Sequence, residues 1–119
     1  MIAFTDQNLL TTLRSLDDRE LDELPFGVIG FDERTLVRRY NRLEEEMSGY
    51  RRENILNRPL FLEIAPCMNN YLVALKFEQQ SELDETLPYI LSFKVKPVKV
   101  DLRLLKKGPA ELRYVLIRR

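Results

Sequence analysis

Cys67 is the only thiol in the chain, and it follows Ala65 and Pro66. A thiol can act as a nucleophile or carry a covalent acyl group. Upstream stand three oxygen-bearing side chains, Tyr40, Glu44 and Ser48. A tyrosine hydroxyl and a protonated carboxyl are hydrogen-bond donors, and a serine hydroxyl both donates and accepts. Each residue also has a plain structural reading. A free cysteine is often a small buried hydrophobe. Glu44 opens the run Glu44-Glu45-Glu46, which for Glu45 and Glu46 reads as a solvated helix face. Tyr40 closes a strand-like stretch and fits a core or edge aromatic. Ser48 precedes Gly49, as a turn or cap residue does.

Composition excludes much of the remaining chemistry. The chain has no histidine, so it lacks the commonest general base and the commonest metal ligand. Serine–histidine and cysteine–histidine catalysis are excluded, and one cysteine cannot hold a zinc ion alone. The four glycines, at 27, 30, 49 and 108, form no phosphate-binding loop. The one enzyme reading left uses Cys67 with Glu44 as its base. Nineteen basic and nineteen acidic side chains cancel, which removes the net field that would draw nucleic acid or an anionic membrane. The pairs Arg38–Arg39, Arg51–Arg52 and Arg118–Arg119 read as solvated surface. A lone cysteine forms no internal disulfide, so a reducing cytoplasm is the expected compartment. The N-terminus lacks the pattern of a signal peptide, and no apolar run approaches the roughly 20 residues of a membrane span.

The elements that must position these residues follow from spacing. With 119 residues, 45% of them hydrophobic, the chain fits one domain with a real core. Leu9, Leu10, Leu13 and Leu16 predict a helix over 6–16 capped by Asp6, and a second helical turn is expected at 17–24. Residues 26–32 and 36–41 read as strands joined by the turn Glu33-Arg-Thr35. Pro59 and Pro66 divide 42–66 into short helices. A longer helix is expected over 68–84. Residues 87–95 read as a third strand, with Tyr89, Leu91 and Phe93 on one face. Val98, Val100, Leu102 and Leu104 alternate with polar residues, as in a half-buried strand. Lys106-Lys-Gly-Pro109 is a turn before a last strand at 112–117. Contiguous strands and segregated helices indicate an α+β domain with an antiparallel sheet.

That order resembles the PAS fold, and the residues resemble the photoactive yellow protein family more closely. The resemblance rests on the 21–32 segment Leu21-Asp-Glu-Leu-Pro-Phe-Gly-Val-Ile-Gly-Phe-Asp32, on Tyr40-Asn41, Glu44 and Ser48-Gly49, and on Ala65-Pro66-Cys67. It continues in Pro97-Val-Lys-Val100 and the ending Tyr114-Val-Leu-Ile-Arg-Arg119. It implies a five-stranded antiparallel sheet with short helices on one face, an N-terminal helical cap over 1–24 and a PAS core over 25–119. It further implies a blue-light sensor in the cytoplasm, with 4-hydroxycinnamic acid (p-coumaric acid) held as a thioester on Cys67. Tyr40 and Glu44 would hydrogen-bond its buried phenolate, Ser48 would support them, and Glu44 would give up its proton after isomerisation. The physical requirement is general: a buried phenolate is costly without surrounding donors, and a buried glutamate beside it stays protonated.

The chain departs from the family at two pocket positions. Tyr50 stands where an arginine covers the phenolate end, with the adjacent Arg51 as the stand-in. Val95 replaces a methionine that aids thermal recovery, which implies a slow photocycle. The expected partner is a downstream signalling protein or a second copy of the chain, with no nucleic acid and no membrane. The alternative reading is a PAS domain without chromophore, acting in dimerisation or protein interaction.

Overall fold

The run Gly27-Val-Ile-Gly-Phe31 is buried at every position, because it is the second strand of a sheet covered on both faces. In the computed structural model, residues 1–92 and 96–119 are described. The five strands are β1 (Gly27–Phe31), β2 (Val37–Tyr40), β3 (Glu82–Leu91), β4 (Val98–Lys107) and β5 (Arg113–Arg118), in the order β2-β1-β5-β4-β3. All pairs are antiparallel. This is the α+β architecture expected from the order of elements.

Alternation sorts the side chains into two cores. Ile29, Phe31, Val115, Ile117, Val100, Leu102 and Leu104 point toward the short helices that connect β2 to β3. Val28, Leu105, Tyr114 and Leu116 point the other way and pack on Phe4, Leu9, Leu13 and Leu21 from the N-terminal helices. The half-buried reading of β4 is therefore corrected. Its polar Arg103 is itself buried, donating to the carbonyls of Phe4 and Asp6 at 2.8 Å each and pairing with Asp84.

The N-terminal helices are α1 (Leu9–Ser15) and α2 (Asp18–Leu21). Asp6 does not cap α1. Its carboxylate accepts from the Ala3 amide at 2.8 Å instead, and Asn8 in a left-handed conformation precedes the helix. Asp17 and Glu20 form a reciprocal capping box on α2. The basic pairs are not uniformly solvated either. Arg39 is mostly buried and donates to the Leu13 carbonyl at 2.9 Å, the Leu16 carbonyl at 2.5 Å and the Tyr114 hydroxyl at 2.9 Å.

Between β2 and β3 run α3 (Arg42–Ser48), α4 (Arg52–Ile55), a π-helical turn (Leu60–Ile64), a 3-10 turn (Pro66–Met68) and α5 (Ala74–Gln79). The helix expected over 68–84 shrinks to α5. Asn70 interrupts its start by accepting from the Leu72 and Val73 amides. Its end is lost because β3 begins at Glu82, pairing with Lys107. Pro88 is tolerated because β3 lies at the sheet edge. The turn after β1 needs no glycine. Thr35 takes φ 65°, and the Asp32 carboxylate accepts from the Arg34 and Leu36 amides. Lys106 belongs to β4 rather than to a turn, and its buried ammonium donates to the Phe77 carbonyl at 2.5 Å. Among the described residues, no helix is long and apolar enough to cross a membrane.

Candidate functional site

Asn41 sets the position of α3. It is fully buried at the joint between β2 and the helix. Its Oδ1 accepts from the Val28 amide at 2.9 Å and the Glu44 amide at 3.2 Å, while its Nδ2 donates to the Leu21 and Phe26 carbonyls at 3.0 Å each. One side chain thus caps α3 and ties it to β1 and the N-terminal segment. Gly49, at φ 82°, ends the helix in the left-handed conformation that glycine adopts without strain. In the sequence Asn41 counts only toward the family resemblance, although an Asn three residues before a Glu is also a readable N-cap signal.

Tyr40, Glu44 and Ser48 are all buried on this framework. The Tyr40 hydroxyl donates to Ser48 Oγ at 2.7 Å, and the Tyr50 amide donates to the same oxygen at 3.2 Å. Ser48 thus bonds a tyrosine and stands as the last residue of α3, before Gly49. Burial pushes the Tyr40 hydroxyl well above its ordinary pKa, and the Glu44 charge adds to the shift. Burial also raises the Glu44 carboxyl above the ordinary carboxylate value, and the hydrogen bond and charge of Arg119 offset only part of that rise.

Glu44 is not bonded to Tyr40 or Ser48. Its carboxylate takes two bonds from Arg119, Nη1 to Oε1 at 2.8 Å and Nη2 to Oε2 at 3.3 Å. The reading of Arg119 as solvated is thereby overturned, and no pattern within the sequence links residues 75 positions apart. Arg51, the expected stand-in for a cation, is 76% exposed at its side chain and pairs with Glu53 on the surface. Tyr50 is half-buried against the core that holds Tyr40. Val95 and Phe93 lie outside the described residues.

Gly27 faces Glu44 from β1. A Cβ there would overlap Glu44 Oε1 and crowd its carboxyl carbon. Gly27→Ala should therefore displace the Glu44 carboxylate from Arg119 and destabilise the fold by about 1–3 kcal/mol, the usual cost of an added methyl in a packed interior. Urea unfolding with intrinsic tyrosine fluorescence measures this, and an unchanged midpoint would contradict it.

Cys67 sits in the 3-10 turn, half-buried against the same core that contains Tyr40. Its backbone carbonyl accepts from the Tyr89 hydroxyl at 2.5 Å and from Asn70 Nδ2 at 3.1 Å. The Asn70 amide nitrogen also bonds Tyr89 at 2.6 Å. Tyr89 and Asn70 thus fix the turn through its backbone and leave the sulfur uninvolved. Tyr89 also borders an apolar surface cleft of about 600 Å³ with Leu72 and Val100.

Residues 15–116 match the PAS fold family, which is most of the chain. The chain belongs to the PAS family. This PAS domain is similar to the photoactive yellow protein of Rhodothalassium salexigens, with 23% identity over 122 residues, spanning 100% of this chain and 98% of that protein. The photoactive yellow protein of Rhodobacter capsulatus is 24% identical over 115 residues, covering 94% and 93%. Among solved structures, the photoactive yellow protein domain of the sensor histidine kinase Ppr from Rhodospirillum centenum superposes with a TM-score of 0.83 and 29% identity. It covers 92% of this PAS domain and 98% of that chain.

Proposed function

We propose that this PAS domain is a blue-light sensor that carries 4-hydroxycinnamic acid as a thioester on Cys67, and that it acts on a downstream signalling protein. The observation that carries this reading is a half-buried thiol packed on the core that contains Tyr40, whose hydroxyl donates to buried Ser48, with Glu44 buried on the same helix as Ser48. Relatives named photoactive yellow protein along the whole length of the chain support it.

Residue types that could hold such a group are present, a thiol and three oxygen-bearing side chains. A thiolate at Cys67 attacks the carbonyl of an activated acyl donor and expels its leaving group, so the thioester forms without an oxidant. Tyr40, Glu44 and Ser48 offer oxygens for a phenolic head, in a region where burial strengthens bonds to an ionised acceptor. When bound, the group supplies an isomerisable double bond and an ionisable phenol. Glu44, once freed of Arg119, is the residue able to donate a proton. After it does so it is a buried carboxylate without its partner, which favours local opening. The N-terminal segment, held to the sheet by the guanidinium groups of Arg39 and Arg103, is the element such opening would loosen.

The test is to mix purified ligand-free protein with activated 4-hydroxycinnamic acid. One added acyl mass on the Cys67 peptide and a visible absorption band are expected. Glu44→Gln should keep the adduct and move the band to the red, because an amide stabilises the ground-state phenolate less than an acid does. Neither adduct nor band would leave the second reading, a chromophore-free interaction domain. The Glu44–Arg119 pair favours that reading, since it satisfies the site's carboxylate with protein atoms alone.

A further inference from the structure

Among the described residues, Glu44 is the one acidic side chain that is fully buried, and its partner arrives from the far end of the chain. β5 delivers it by alternation. Ile117 points into the core that holds Tyr40. Arg118 points to the opposite face, with its guanidinium 4.5 Å from the centre of the Phe4 ring. Arg119 follows and reaches Glu44, and its side chain is 15% exposed. Gly27 lies opposite Ile117 on β1 and leaves the room that the carboxylate occupies.

We propose that Arg119 sets the charge of this site: its guanidinium, two-pronged on Glu44, keeps that carboxyl ionised, so Glu44 has no proton to offer a ligand until Arg119 lets go. The reason is geometric. Both carboxyl oxygens accept from guanidinium N–H groups, and a proton on either oxygen would confront a donor. The other neighbours do not replace this charge. The Tyr40 hydroxyl from β2 donates its hydrogen bond to Ser48, and Gly27 brings no polar side chain from β1. Tyr50 after α3 carries a phenol, a group that is never a cation and so cannot act as a counter-ion. Without Arg119 the carboxyl would keep its burial and lose its cation, and burial alone favours the neutral acid.

The consequence for ligand binding rests on the reading under Proposed function. A phenolic oxygen that is to receive a bond from protonated Glu44 must compete with Arg119. Filling the site therefore detaches the residue that follows β5, and the end of the last strand reports whether the site is full. Arg119 is a positioning residue in this scheme, acting through Glu44.

Carbon-13 NMR of carboxyl-labelled glutamate, assigned with Glu44→Gln, tests the proposal in the ligand-free protein. The unmodified chain should show Glu44 as a carboxylate at neutral pH. Arg119→Gln should lose that resonance and show the neutral acid, whereas Arg119→Lys should retain the carboxylate. A neutral Glu44 in the unmodified chain, or an unchanged Glu44 in Arg119→Gln, overturns the proposal. Loading with activated hydroxycinnamate is the second measurement. Arg119→Gln should label Cys67 several-fold faster than the unmodified chain, and equal rates would refute the competition. If no variant is labelled, the chromophore reading fails, and the ligand-free spectra still decide the role of Arg119.

Discussion

Cys67→Ala, treated with activated 4-hydroxycinnamic acid beside the unmodified protein, should gain no acyl mass and no visible band. This is a complete loss, because no other thiol exists in the chain. The fold should survive it. Tyr89 and Asn70 hold the turn through the Cys67 carbonyl, which alanine keeps. The side chain is only half-buried, so the change in stability should stay within about 1 kcal/mol. The two readouts separate chemistry from folding. A Cys67→Ala protein that melts normally yet takes no label places the attachment on the sulfur. One that is still labelled places the acyl group on another nucleophile and ends the thioester reading. The experiment also distinguishes the half-buried sulfur as a reactive group from the plain view of it as a small hydrophobe, since a hydrophobe is replaced by alanine without any chemical consequence.

Arg39→Leu should cost about 2–4 kcal/mol and free the N-terminal segment. The guanidinium fastens α1 to the sheet by its bonds to the Leu13 and Leu16 carbonyls, and it holds the buried Tyr114 hydroxyl. Leucine removes all three bonds; the Leu13 carbonyl keeps the Leu16 amide as a donor, while the Leu16 carbonyl and the Tyr114 hydroxyl lose the guanidinium, each loss worth about 1–3 kcal/mol where water cannot reach. Water will repair some of the loss at the segment's edge, which keeps the total below the simple sum. Asp18, which also pairs with Arg39, is 72% exposed and loses little. Hydrogen exchange measures the outcome. Amides of α1 should lose protection while those of β4 and β5 keep most of theirs, because the core facing the connecting helices is untouched. Uniform loss across the sheet would show instead that the N-terminal helices and the sheet unfold as one unit.

The sequence alone determined the antiparallel α+β order, the short connecting helices and, to within one residue at each end, β1 and β2, because those depend on neighbours a few residues away. Periodicity, Pro59, Pro66 and the apolar run Gly27–Phe31 are local signals, and they act locally. The resemblance to the photoactive yellow protein family, carried by those residues and their neighbours, brought Tyr40, Glu44, Ser48 and Cys67 forward as a set; by type alone each kept a plain structural reading. The helix over 68–84 misled for the same reason: its apolar spacing was genuine, but Asn70 and the pairing of Glu82 with Lys107 took its ends. Only the tertiary structure decided which charges are buried. Arg39, Arg103, Lys106 and Arg119 look alike as letters, and every one of them ends beside a carbonyl or carboxylate that folding alone brings near. A basic side chain gives up its water only where such acceptors wait at the right distance. For Arg119 the acceptor lies on a helix 75 residues earlier, which is why the counter-ion of the site could be seen in the fold and not in the chain.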